Sequence, residues 1–177
     1  QRAAAIVADP GIAKIQQSAG YNPIIDHGFT AVERVLSNNG AVTFMGNPLT
    51  GPAKIKGPGD VAFLFKNLES ASSENAFIAL IDKKNNYRVL YLSTGNEYST
   101  IIDFKSIPAA IKEFDAAKIC MVHNHPSGSL KPSDNDIRCQ TRIGQIAREM
   151  GIEAMPGIII NLDTGKYAEF TQHFTNN

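Results

Sequence analysis

The spacing of apolar residues separates a weakly patterned first third of the chain from a well-patterned remainder. Residues 76–81 form an almost continuous apolar run, which is typical of a strand buried on both faces. A polar turn at residues 83–86 and a second run at residues 87–92 complete a predicted hairpin. Residues 118–122 form a third predicted strand, and residues 157–160 and 166–170 form a terminal hairpin. From residue 74 onward the pattern predicts an α/β structure.

Three segments with helical spacing alternate with these strands. Asp60 opens an amphipathic helix whose apolar face contains Val61, Leu64, Phe65 and Leu68. A second helix is predicted over residues 106–114, with Ser106 as its N-cap. A third begins at Ser133 and continues to residue 150, where Gly151 provides the stop that commonly follows a helix.

The first 55 residues predict an extension that is separate from this domain. Residues 3–19 favour a helix interrupted by Pro10, and residues 29–36 favour a short helix. Residues 45–59 are rich in proline and glycine, so we interpret them as a connector with room for one short strand. The predicted division is therefore a mostly helical N-terminal extension of unknown function, residues 1–55, and an α/β domain, residues 56–177.

Composition narrows the class of protein without naming a function. Seventeen basic residues balance seventeen acidic ones, so the chain has no overall positive charge to attract nucleic acid or an anionic membrane. Two cysteines without regular spacing indicate a reducing compartment, and we expect a cytoplasmic protein with no membrane span. Because the chain begins at Gln1, we also expect it to be part of a longer polypeptide. Nothing in the sequence predicts an oligomeric state.

The main chemical signal follows the third predicted strand. His123 and His125 are two residues apart, so in an extended backbone their side chains point to the same side. Pro126 keeps His125 extended, and the loop that follows lets the chain turn back to place Asp136 in the first turn of the next helix. Two imidazoles and one carboxylate leave a fourth position for water, which is the composition of a catalytic zinc site.

Ser133 allows two interpretations that are compatible with each other. Its hydroxyl, three residues before Asp136, can donate a hydrogen bond to the oxyanion formed when hydroxide attacks a carbonyl. The same spacing matches a helix capping box, which requires no catalysis. Cys139 lies one helical turn after Asp136 and is a weaker candidate, because a fourth protein ligand would close the site.

His-x-His-Pro followed by Pro-Ser-x-x-Asp resembles the signature of the JAMM/MPN+ zinc metallohydrolases. The run from His123 to Gly128 resembles the bacterial RadC branch in particular, and the resemblance covers about residues 57–170. It implies an MPN/JAB1-like (cytidine deaminase-like) α+β fold, with a curved mixed β-sheet flanked by helices. It further implies zinc ligation by His123, His125 and Asp136, with Ser133 stabilising the oxyanion.

The resemblance also implies a glutamate just before the first buried strand as general acid/base. Glu74 fits this position, although the aromatic residue follows one position later than in typical members. Glu97, in a polar loop, is the competing candidate. We favour Glu74 because a group beside a core strand is held more rigidly than one on a loop.

Two classes of function remain open at this point. The first is zinc-dependent hydrolysis of an amide or isopeptide bond in a protein or peptide substrate. The second is a non-catalytic binding module, associated with DNA repair or a mobile element, in which the metal is structural or vestigial. The balanced charge disfavours nucleic-acid binding, which requires clustered lysine and arginine.

Overall fold

The computed structural model describes residues 6–7, 29–38, 41–48, 51–68, 76–93 and 104–171. Its strands form one mixed sheet: β1 Ile6–Val7, β2 Phe29–Asn38, β3 Ala41–Pro48, β4 Ala76–Ile81, β5 Tyr87–Ser93, β6 Lys118–Asn124, β7 Glu153–Ala154, β8 Gly157–Ile160 and β9 Tyr167–Phe170. The described α-helices are α1 Pro58–Leu68, α2 Ile107–Phe114 and α3 Asp134–Met150, and a single 3₁₀ turn, Phe104–Ser106, precedes α2. None of these helices is long and apolar enough to cross a membrane.

Strand β6 occupies an interior position in the sheet, whose order is β1-β2-β3-β5-β4-β6-β8-β9. It pairs antiparallel with β4 on one side and parallel with β8 on the other, while the short β7 pairs with the first residues of β6. Hydrogen-bonded neighbours on both edges fix the backbone of β6, and with it the points from which its side chains extend.

The two faces of the sheet are covered by different helices. Alternate β6 residues Cys120 and Val122 pack in a core cluster with α1, whereas Ile119 and Met121 pack in a second cluster with α2 and α3. Since successive side chains of a strand point to opposite faces, His123 continues the second series and faces α3. The alternation places the first histidine on the side of the sheet that carries Asp136.

The predicted α/β core is confirmed. Strand β4 matches its predicted bounds, β4 and β5 form an antiparallel hairpin, and β8 and β9 form the terminal one. The helix predicted from Ser133 is also confirmed, with Gly151 as its C-cap in the left-handed region at a φ of 70°. Such a conformation favours glycine, which has no Cβ to clash with the backbone.

The predicted short helix at residues 29–36 is wrong, because this segment is part of strand β2. Its Val32 and Val35 fit helical spacing, yet β-branched side chains prefer a strand, and antiparallel pairing with β3 decides the outcome. The mostly helical character expected for the extension is therefore not found in its described residues. Strand β3 also takes up the first part of the expected connector and pairs with β5 in the same sheet. The domain boundary at residue 55 stays a prediction.

Candidate metal centre

His123 lies near the end of β6 and is fixed by both neighbouring strands. It pairs with Ala76 of β4 and with Ile159 of β8, and only 4% of its surface is exposed. The strand ends one residue later, at Asn124, so His123 stands where the sheet gives way to a loop. A buried imidazole at such a point can be presented rigidly to a ligand.

Asp136 is held by the capping box at the start of α3. The Asp136 backbone N–H donates to Ser133 Oγ at 3.1 Å, and the Ser133 backbone N–H donates to Asp136 Oδ2 at 2.8 Å. Two of the backbone donors that are free at a helix N-terminus are satisfied in this way. The capping interpretation of Ser133 is confirmed, and the cap directs the Asp136 carboxylate towards the histidines.

The loop that follows β6 fixes the ring of His125. The Gly128 N–H donates to the His125 carbonyl at 2.8 Å, and Gly128 adopts a φ of 80°, which closes the turn. His125 Nδ1 lies 3.1 Å from the Ser129 carbonyl oxygen. A carbonyl oxygen can only accept, so Nδ1 carries the proton and Nε2 of the neutral ring carries the lone pair. This is the hydrogen-bonding pattern of metal-binding histidines.

The structure brings together the three predicted ligands. His123 Nε2 lies 2.9 Å from Asp136 Oδ1, and His125 Nε2 lies 3.0 Å from Asp136 Oδ2. One ligand atom from each residue lies within 4.8 Å of the other two. The lone pair of a neutral His125 faces a carboxylate oxygen across 3.0 Å, and two acceptors in contact require a proton or a cation between them.

His123 Nε2 supplies an independent test of the fit to a metal. This nitrogen is fully buried and has no aligned hydrogen-bond partner within the described part of the chain. Its neighbour at 2.9 Å is Asp136 Oδ1, a carboxylate oxygen that can only accept a hydrogen bond. Because buried polar atoms are nearly always satisfied, this one requires an explanation. Two histidine nitrogens and a carboxylate are also a donor set found in zinc sites, so the residues fit a metal ion.

The surroundings of Asp136 favour its charged form. Burial alone would raise the pKa of the carboxyl, but the contact with His123 and the hydrogen bonds from Ser133 outweigh burial and hold the pKa well below its usual value. A metal ligand must be deprotonated, so the Asp136 carboxylate is ready to bind without losing a proton at neutral pH.

Cys139 is not part of this ligand group. It is half-buried, and burial together with the negative charge of Asp136 raises the pKa of its thiol. A raised pKa keeps the sulfur protonated, whereas the metal-binding form is the thiolate. With Cys139 outside the ligand group, three protein ligands leave one coordination position for water or substrate.

Glu74 and Glu97 both lie outside the described residues, so the choice between them as general acid/base stays a prediction. Ser133 is exposed at the start of α3, and its oxygen accepts the Asp136 N–H. A hydroxyl that accepts one hydrogen bond still has its own proton to donate. The Ser133 side chain also interacts with the Asp136 carboxylate, so the oxyanion role of this hydroxyl stays a prediction.

Three contacts of the site were not predicted from the sequence. The Ser129 carbonyl orients His125, and the Phe170 ring packs edge-on against the His123 ring with 6.0 Å between centroids and 88° between planes. Asn161 Nδ2 donates to the Gly128 carbonyl at 3.4 Å and links the loop to the end of β8. The terminal hairpin carrying Phe170 was predicted, but its register against β6 has no local signal.

Comparison with known proteins places the chain in a family. The profile of the RadC-like JAB domain matches residues 55–174. A UPF0758 protein from Finegoldia magna is 36% identical over 109 residues, covering 59% of this chain and 48% of the relative. A UPF0758 protein from Clostridium acetobutylicum is 27% identical over 160 residues, covering 82% and 70%. A third, from Alkaliphilus metalliredigens, is 31% identical over 109 residues, covering 60% and 47%.

The chain spans about half the length of the Finegoldia and Alkaliphilus relatives. The family match covers the strands and helices that build the candidate metal centre, including every residue from β6 to the start of α3. Together with the His-x-His-Pro and Pro-Ser-x-x-Asp run at this centre, the match identifies the chain as a member of the RadC-like JAB domain family.

Proposed function

We propose that the chain is a zinc-dependent hydrolase that cleaves an amide or isopeptide bond in a protein or peptide. The observation that carries the proposal is the convergence of His123 Nε2, His125 Nε2 and the Asp136 carboxylate, where the buried His123 nitrogen has no hydrogen-bond partner among the described residues. Zinc in a three-ligand protein site lowers the pKa of a coordinated water to about 7 and polarises a carbonyl.

Ser133 has a defined role in this proposal. Its hydroxyl donates a hydrogen bond to the oxygen of the attacked carbonyl as negative charge develops there. The capping box holds this hydroxyl and the Asp136 carboxylate on the same helical turn, so the donor is positioned before substrate binds. Two reciprocal hydrogen bonds between Ser133 and Asp136 support this preorganisation.

Glu74 is proposed as the residue that accepts and returns the water proton. The strand register favours it: Ala76, two residues later in the sequence, pairs with His123. Glu97 follows Ser93, the last residue of β5, by four residues, and that end of β5 lies beside the start of β4. Glu74 stands two residues before a strand position paired with His123, whereas Glu97 stands four residues after the end of β5, and this sequence distance supports Glu74.

The charge of the chain and the chemistry of the site support the proposed substrate class. Equal numbers of basic and acidic residues provide no general attraction for a phosphate backbone, which supports a protein or peptide over a nucleic acid. The attacked group must present a carbonyl to both the metal and the Ser133 hydroxyl. An amide or isopeptide meets this requirement.

Zinc titration of chelator-treated protein tests metal binding first. One zinc per chain is expected for the wild type and none for His123→Ala, while His27→Ala serves as a histidine control outside the ligand set. Hydrolysis is then measured on a panel of peptide and isopeptide substrates. We expect Glu74→Gln to retain zinc and lose hydrolysis, and Glu97→Gln to retain both. Failure of the wild type to bind zinc would contradict the proposal, and zinc binding without hydrolysis of the panel would favour the binding-module alternative.

A further inference from the structure

We propose that Phe170 is a positioning residue for His123, and that the absence of a side chain at Gly157 is what allows this. The inference rests on the proposed metal binding and adds to it a residue outside the ligand set. Phe170 and Gly157 lie on the terminal hairpin, whereas the ligands come from β6 and α3.

The strand register places these residues on one face of the sheet. His123 is paired with Ile159 of β8, and Gly157, two residues earlier on the same strand, is paired with Phe170 of β9. Paired residues and residues two apart on one strand share a face. The Phe170 side chain therefore crosses above Gly157 and reaches the His123 ring edge-on, with 6.0 Å between centroids.

The space above Gly157 is already filled by other groups. A Cβ at residue 157 would lie 2.7 Å from Cε1 and from Cζ of the Phe170 ring, and 2.8 Å from Gln140 Oε1. Ordinary contacts of a Cβ begin at 3.4 Å, so the ring would have to move by about 0.7 Å. Glycine is thus required here by the close approach of the ring.

The groups around Gly157 have little freedom to move away. Gln140 is 5% exposed, and its Nε2 donates to the Met155 carbonyl at 3.0 Å, so a shift would break a buried hydrogen bond. Phe170 is 2% exposed and packs in the same core cluster as Ile159. Its ring is therefore enclosed, and one of its neighbours is the ring of His123.

A displaced Phe170 ring changes the position of a metal ligand. Metal–ligand distances tolerate about 0.2 Å, so a movement of a few tenths of an ångström at His123 Nε2 matters. Changes to residues that support ligands typically weaken metal affinity by about 10- to 100-fold. We expect Gly157→Ala to weaken zinc affinity by about tenfold or more while all three ligands remain in the sequence.

Zinc affinity of the chelator-treated full chain, measured by competition with a chromogenic chelator, tests this inference. Gly157→Ala is expected to bind about tenfold more weakly in the wild-type background and less than about twofold more weakly in a Phe170→Leu background, because leucine lacks Cε1 and Cζ. Phe170→Leu alone should also weaken binding, since His123 loses its edge contact. Absorption spectra with cobalt(II) should change in the same variants, which reports ligand geometry without any substrate.

Two controls separate positioning from general destabilisation. Gly57→Ala adds a Cβ that has no atom of the described residues within 4 Å, and Phe65→Leu removes a buried ring from the core cluster on the other face of the sheet. Both should retain wild-type zinc affinity, although Phe65→Leu should unfold at lower temperature. Equal zinc affinity of the wild type, Gly157→Ala and Phe170→Leu would overturn the inference while leaving metal binding intact. If Gly157→Ala does not fold, Phe170→Leu compared with Phe65→Leu decides the question.

Discussion

Replacing Ser133 separates the capping role of this residue from its proposed role in hydrolysis. Ser133→Ala removes the acceptor for the Asp136 N–H, a 3.1 Å hydrogen bond, but keeps the 2.8 Å bond from the Ser133 N–H to Asp136 Oδ2. Loss of an N-cap hydroxyl typically costs about 1 kcal/mol of stability when alanine replaces it, and only a few tenths when glycine does. The two substitutions remove the same hydroxyl with different consequences for the helix.

The expected size of the effect follows from the length of the chain. For a protein of 177 residues, about 1 kcal/mol lowers the midpoint of thermal unfolding by roughly 2–4 °C. Ser133→Gly should remain within about 1 °C of the wild type. Hydrolysis should fall by about 100- to 1,000-fold in both variants, since loss of one oxyanion donor has this effect.

Circular dichroism during heating of the metal-free protein measures the first quantity, and initial rates with zinc present measure the second. Ser127→Ala, which removes a loop hydroxyl that accepts the Ser129 N–H at 3.3 Å, is the matched control and should keep its rate. A Ser133→Ala protein as stable as the wild type would refute the capping contribution. Full hydrolysis by Ser133→Gly would refute the oxyanion role, whatever the stability.

Further predictions concern acid, thiol chemistry and the loop. Folding lowers the pKa of Asp136, so the stability that this carboxylate contributes is complete above its unfolded pKa near 4 and is lost as pH falls. In urea unfolding of the metal-free protein between pH 6 and 3, the free energy of unfolding should therefore fall less steeply with acid for Asp136→Asn than for the wild type. Burial raises the pKa of Cys120 to about 12, so alkylation of folded protein at pH 8, followed by mass spectrometry, should leave Cys120 unmodified. The half-buried Cys139, whose pKa is also raised, should react slowly, and labelling of Cys120 at the same rate would contradict its buried core position. Gly128→Ala should lower stability by about 1–2 kcal/mol, because residue 128 has a φ of 80° and its Cβ would lie 2.9 Å from Asn161 Nδ2. Thermal unfolding measures this loss, and an unchanged midpoint would contradict the described turn.

The sequence predicted those features of the site that depend on local geometry. His123 and His125 share a side because of the two-residue period of a strand, and Ser133 and Asp136 meet because of the spacing within one helical turn. The loop between β6 and α3 must also turn back to bring the two pairs of residues together. A turn with glycine at residue 128 and a proline after His125 made that closure reasonable.

The features that the sequence did not predict depend on pairing between distant strands. Apolar residues at positions 32 and 35 fit a helix as well as a strand, and only the partner strand β3 distinguishes the two. The same holds for Phe170, whose contact with His123 is set by the register of three strands. A one-residue change in that register would turn Phe170 to the opposite face, where it would meet α1 instead of the histidine.

The hydrogen bonds of the candidate centre fix its ligands without help from a metal. The cap holds Asp136, the Ser129 carbonyl holds His125, and two paired strands hold His123. In a site arranged this way, the free energy of metal binding is not consumed by folding the chain, in contrast to small zinc domains that unfold without their ion. His125, Asp136 and His123 would hold a cation here, and its positive charge would balance the acceptor atoms that face one another in the metal-free site. Affinity should therefore depend on how well the supporting residues keep these three atoms apart and aimed at one point, which is why we expect a ring contact two strands away to change it.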